Sequence, residues 1–300
     1  MLYGQTAKKM EGKKMSKFTN KIDFAVLITV NNANPNGDPL DGNRPRTDLD
    51  GFGEISDVCI KRKIRNRLQD MGEDIFVQTD DRCMDGCKSL SERARITPEL
   101  EAALKSKNSD SYIKAVCDKW IDVRSFGQVF AFKDNNVSIG VRGPVSIHPA
   151  FSISPIEIVE RQITKSTNSE PSKDGKRTSD TMGTKYRVEF GLYLFKGSIN
   201  HQLADRTGFS DADADKIKEA LRTLFENDCS AARPDGSMEV VRVYWWRHNC
   251  PSGQYSSAKV HNSLEVKEKE KLDHIPDKFE DYDVIVHELE GLEPEVFDGI

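Results

Sequence analysis

Apolar and polar residues alternate from Ile22 through Phe24, Val26 and Ile28 to Val30, the period of a β-strand. Ala25 and Leu27 make the second face apolar too, so this strand is expected at the centre of a sheet covered on both sides. A helical period follows: Ile60, Ile64, Leu68 and Met71 form one stripe, with Ser56 as its N-cap, Asp57 in its first turn and Gly72 at its end. Further helices are expected at 98–105 and 112–121, and short strands at 128–132 and 137–141. Strong alternation returns at 151–163 and 185–199, and these two strands read as a hairpin around a polar tip, 164–184. Ser210 caps a helix with Ile217, Leu221, Leu224 and Phe225 inward, and 238–246 is the last clear core strand. Tyr282, Val284 and Val286 suggest one more strand.

Stripped of insertions, the order is strand, helix, strand, strand, helix, strand. That is the α+β, ferredoxin-like order shared with RNA-recognition modules, and order alone does not assign a function. Residues 1–20 read as a flexible basic extension and 288–300 as an acidic tail. The stretch 31–55 is so rich in Asn, Pro, Gly and Asp that neither helix nor strand is expected there. Long loops of this kind are often functional.

The chain has 300 residues, 37% hydrophobic and 31% charged, with a mean hydropathy of −0.61. No apolar run approaches the ~20 residues of a membrane span. Residues 1–17 lack an apolar signal core, so a cytoplasmic protein is the default. The net charge of −5 misleads about partners. Residues 265–300 carry 13 acidic and four basic residues, leaving 40 basic and 36 acidic elsewhere. The body of the chain is therefore slightly cationic, and local patches decide whether phosphate binds.

Five cations fall within 61–67: Lys61, Arg62, Lys63, Arg65 and Arg67. Like charges four apart repel by a few tenths of a kcal/mol, a penalty that an anionic partner would remove. A solvated helix face has the same composition. Arg44 and Arg46 flank Pro45 in a loop that could grip phosphate, although ordinary turn chemistry also accounts for it. Asp38, Asp41, Asp48 and Asp50 beside them do not match a calcium loop. The hairpin tip holds Lys165, Lys173, Lys176 and Arg177 with one apolar residue, Met182, before Gly183. A basic tip with a lone apolar side chain could wedge between bases; a plain surface loop is the simpler reading.

Residues 124–129 echo an RNA-recognition signature but lack its first glycine and two aromatics. Cys83 and Cys87 have the spacing of a zinc half-site without a second half, so neither metal nor cofactor is expected. The six histidines (148, 201, 248, 261, 274, 287) are scattered, and no nucleophile elbow, zincin or Walker motif is present. His148 before Pro149 reads as structural.

The stretch 32–72, NANPNGDPLDGNRPRTDLDGFGEISDVCIKRKIRNRLQDMG, closely resembles the type I-C CRISPR Cascade backbone subunit of the RAMP superfamily. DVRSFGQVF at 122–130, VRGPVSI at 141–147 and TMGTKYRVEFGLY at 181–193 support it. The resemblance spans about 21–287. It implies a modified RRM-like palm over 21–287, with insertions at 31–55 and 73–122 and a thumb hairpin at 160–187. It implies copies stacked along a CRISPR RNA, each thumb kinking the guide and leaving the bases between kinks free for a target DNA strand. Met182 would be the wedge. Implied partners are further copies, a guide-processing subunit, a large subunit and a recruited helicase-nuclease; no membrane and no catalysis are expected.

Together, residue pattern and resemblance nominate Arg44, Arg46, Lys61, Arg62, Arg65 and Arg142 for the guide backbone, with Lys165, Met182 and Gly183 on the thumb and Phe126 and Gly127 beneath the RNA. The alternative is a type III-like backbone that cleaves target RNA through Asp38, Asp41 or Asp48. A guide-processing ribonuclease lacks its compact His/Tyr/Lys cluster, and a small-molecule enzyme lacks a cofactor fingerprint.

Overall fold

The computed structural model describes residues 17–105, 108–131, 138–164 and 182–300. The 1–16 part of the basic extension, Lys165 and the rest of the hairpin tip through 181 lie outside them. In chain order the first elements are β1 (Ile22–Ala33), β2 (Gly37–Asp38), β3 (Arg44–Pro45), β4 (Phe52–Ile55) and α1 (Asp57–Asp70). Next come α2 (Leu90–Arg95), α3 (Pro98–Lys105), α4 (Ser109–Lys119), α5 (Ile121–Phe126), β5 (Gly127–Ala131) and β6 (Ser138–Arg142). Then follow β7 (Val145–Ile147), β8 (Ala150–Pro155), β9 (Ile158–Thr164), β10 (Met182–Ile199), α6 (His201–Thr207) and α7 (Asp211–Arg222). The chain closes with β11 (Met238–Arg247), α8 (Ser257–Asn262), β12 (Leu264–Glu268), β13 (Tyr282–Val286) and β14 (Glu295–Asp298).

The main sheet runs β14-β11-β1-β10-β8-β4, with β7 and β9 also paired to β10. With β7 and β8 as the second core strand, β11-β1-β10-β8 is the ferredoxin-like arrangement, and its pairings are antiparallel. Two helices cover one face. Ile60, Ile64 and Leu68 of α1 and Ile217 and Leu221 of α7 pack on Phe24, Val26, Ile28, Phe195 and Trp245. Burying each such side chain contributes roughly 1.5–3 kcal/mol. The odd-parity residues of β1 behave as their alternation demands: Ala25 and Leu27 enter a second cluster with Leu192, Tyr244, Trp246, Val260, Leu264 and Tyr282. The 73–141 region has its own apolar cluster, in which Phe76 meets Trp120 at 4.7 Å and Phe130 at 5.1 Å.

Ser56 caps α1 through Cys59 N–H at 3.3 Å, and Ser210 and Asp213 form a reciprocal capping box on α7. Three expectations change. The 31–55 stretch is not free of strands, because Phe52–Ile55 lies between clusters of turn formers and pairs with β8 at the sheet edge. Tyr282, Val284 and Val286 do form a strand, but it pairs with β12 in a separate two-stranded sheet laid over the outer face. The acidic 288–300 stretch supplies β14, whose Val296 and Phe297 stand opposite Tyr244 and Val243 of β11.

Candidate nucleic-acid interface

The α1 cations are already partnered within the chain. Lys61 reaches Asp57 at 2.9 Å, and the Arg62 guanidinium donates to the Val77 carbonyl at 2.7 Å. Burial, with Arg65 nearby, pulls the Arg62 pKa down. Lys63 is buried against Asp228; burial lowers its pKa while the carboxylate opposes that shift. Arg65 Nε lies 3.0 Å from Asp122 and its guanidinium stacks 5.1 Å from the Phe126 ring. Arg67 donates to Thr223 Oγ1 at 2.6 Å and pairs with Glu226. The repulsion read from the sequence is thus relieved by Asp57 within the helix and by carboxylates from two other segments, so it does not by itself call for an outside anion. Phe126 packs beneath Arg65 and against the main core.

Gly127 takes φ +79°, and a Cβ there would sit 2.4 Å from the Val141 carbonyl oxygen. Gly143 is equally constrained, 2.2 Å from Ser125 O. These glycines let the α5–β5 turn lie backbone to backbone on the end of β6. Arg142, opposite Gly127 in the β5–β6 register, is exposed and forms no ion pair with a described residue.

The 31–55 loop is tied to α1 and to the hairpin. Asn36 Oδ1 accepts from Ser56 N at 3.0 Å and Ser56 Oγ at 2.9 Å. Arg44 stacks 5.3 Å from the Tyr186 ring on β10. Arg46 pairs with Asp38 at 3.4 Å, yet its Nε is buried without an acceptor. Two of the loop carboxylates serve turns: Asp38 accepts from Leu40 N, and Asp48 from Asp50 N and Phe52 N. Among the described residues, the metal-capable group is elsewhere, at His274, Asp277 and Asp281, where Asp281 also accepts backbone N–H from Asp277 and Lys278.

The hairpin adds cations that sequence reading missed. In the β9–β10 register Arg161 stands directly opposite Lys185, and Arg187 lies two residues along on the same face. Like charges placed so are destabilising. Arg161 and Lys185 are exposed without an ion pair to a described residue, and Arg187 Nε is buried without an acceptor. The sequence signal was the i, i+2 spacing of Lys185 and Arg187. Met182 and Gly183 stand at the far end of the arm, Met182 64% exposed and Gly183 without a close steric contact.

Two other routes are closed or structural. RNA-recognition modules stack bases on an open sheet face, but here that face is covered by α8 and the β12–β13 pair over Tyr244 and Trp246. Two histidines that looked scattered, His248 and His261, gather around buried Asp23, with His148 against one of them. His248 Nε2 lies 2.8 Å from Asp23, while its Nδ1 accepts from Gln254 N at 2.9 Å. Burial pushes the Asp23 pKa up, but hydrogen bonds from His248, Ser257 and Lys21 hold it below the ordinary value. His261 sits 3.9 Å from Asp23 and 5.6 Å from the His148 ring. Burial lowers the His261 pKa. Asp23 and His248 are sealed inside the palm.

Fold and site define a ferredoxin-like α+β protein with two cations, unpaired among the described residues, facing each other across a hairpin and a third, Arg142, on β6. The sequence pattern of CRISPR-associated protein Cas7 matches residues 20–287, and the chain belongs to that family. It is 26% identical over 291 residues to the CRISPR-associated protein Cas7 of Haloferax volcanii, covering 91% of this chain and 84% of that one. A chain of a CRISPR RNA-guided surveillance complex in a pre-nicking state superposes with TM-score 0.45 at 16% identity, over 80% of this chain and 81% of that chain. A second surveillance-complex chain gives 0.41 at 17%, over 75% and 68%. Among the described residues, no helix is long and apolar enough to cross a membrane.

Proposed function

We propose that this chain is a CRISPR RNA-binding backbone subunit of a Cascade surveillance complex, of type I-C by its motifs. Copies lie side by side along the guide and present it to a target DNA strand. The observation that carries this reading is the set of cations without internal partners: Arg142, Arg161 and Lys185, with Arg44 leaning on the same hairpin. Phosphate contacts of this kind carry no sequence information, which suits a subunit that must hold any spacer. Met182, at the far end of the same hairpin, is the wedge, and Lys165, nominated from the sequence, is a further guide-binding cation. The subunit does no chemistry, a reading supported by the engagement of Asp38 and Asp48 in turns. Its partners are other copies, the guide-processing and large subunits, and a recruited helicase-nuclease.

The test is binding to single-stranded RNAs of increasing length, followed by sedimentation and salt titration. Bound copies are expected to rise stepwise with length, regardless of sequence, with affinity falling steeply in salt and the RNA intact. Regular cleavage of the RNA would instead make the loop carboxylates catalytic. Absence of binding at every length would reduce the function to a shared fold.

A further inference from the structure

At the base of that hairpin, a groove crosses the end of the main sheet on its outer side. Two adjoining cavities of about 260 and 300 Å³ share Phe190 and Asp277. The first has Glu157, Glu189 and Glu268 in its walls, the second Glu239 and Glu280. These five carboxylates and Asp277 are exposed, and none forms an ion pair with a described residue. Nearby acids are spent differently: Glu265 meets Lys267 and His287, and Asp298 meets Arg242. Lys278 is the one cation among the lining residues.

The lining between the acids is apolar. Phe190 and Phe279 are half-buried, and Ile275 is 77% exposed at the rim. The groove reaches from Pro155 at the end of β8, past Phe190 on β10 and Asn31 on β1, to Glu239 on β11. Three inter-strand spacings make roughly 15 Å, the length of four to five extended residues. Long cationic side chains suit such a channel, because their stems lie along apolar surface while their heads meet carboxylates. The same acids repel RNA, so the occupant is not the guide.

We propose that this groove docks an extended, Lys/Arg-rich segment of a partner protein. The proposal does not depend on how the chain holds RNA. The probe is a fluorescein-labelled octapeptide of alternating lysine, arginine and leucine, titrated into the full chain and followed by anisotropy. The paired variant Glu268→Gln with Glu239→Gln removes one acid from each cavity, at exposed sites off the hairpin where stability changes little. Peptide affinity is expected to fall at least about fivefold, the worth of one good exposed ion pair, with RNA affinity unchanged. Equal binding by variant and parent, or no binding by the parent, overturns the proposal. A photo-crosslinking version of the peptide is expected to label 189–191 and 275–280; labelling confined to other segments also overturns it. If the parent self-associates and the paired variant does not, the occupant is a second copy and the partner-protein assignment fails.

Discussion

The α1 face and the β9–β10 hairpin both look cationic, and they differ in what their charges already do. On α1, five cations in seven residues each meet an internal group, from Asp57 one turn away to Asp228 across the palm. On the hairpin, Arg161 and Lys185 face each other with no counter-ion among the described residues. Charge density is read from sequence, whereas free charge depends on which carboxylates the fold brings near. The richer face holds α1, the 73–122 insertion and the end of α7 together. The sparser one has no counter-ion of its own among the described residues.

The most severe way to break this comparison is to remove a partner beneath α1. Asp122 is fully buried and accepts from Arg65 Nε at 3.0 Å, Phe76 N at 2.8 Å and Val77 N at 3.1 Å. Asp122→Ala is expected to cost about 3–5 kcal/mol in urea unfolding, since it orphans a largely buried cation and two N–H groups. A loss below about 1 kcal/mol would mean that α1 does not rely on the pair.

A smaller effect concerns the partnered groups inside the palm. His261 has a folded-state pKa below its ordinary value of 6.5, so the unfolded chain binds its proton more readily. Its contribution to stability is complete above about pH 6.5 and is lost as pH falls from there toward the folded pKa. Unfolding free energy measured from pH 7.5 to 5 should decline, and His261→Gln should flatten that decline. An unchanged slope in the variant would place the titration elsewhere.

The smallest effect lies at the edge of the α1 face. Lys61 and Asp57 are 26% and 36% exposed, so Lys61→Ala is expected to cost at most about 0.5 kcal/mol. A change in melting temperature too small to resolve, with a weaker RNA salt dependence, would move Lys61 into the group that meets the guide.

Much of the scaffold was legible because its signals are local. The two-faced β1, the Ser56 and Ser210 caps and the ferredoxin-like order all follow from spacings within a few residues. The pairing of α1 was not, because Asp122, Glu226 and Asp228 lie 57 to 165 residues from the cations they meet and no local pattern links them. The covered sheet face was half visible: Ala25 and Leu27 announced a cover, but not that the chain's own 257–286 segment supplies it. Arg161 and Lys185 become a pair through the hairpin register, and Asp23 gathers His248 and His261 only once β1, β10 and β11 are neighbours.

The central claim is that the free cations of the hairpin and loop, not those of α1, hold the guide. The most direct test is the salt dependence of RNA affinity for the triple variant Arg44→Ala, Arg161→Ala, Lys185→Ala beside the parent chain. Each phosphate contact contributes about 0.7 to the log–log slope for a single strand, so the slope should flatten by about 2 while the melting temperature holds. An unchanged slope would contradict the account and return the guide to α1.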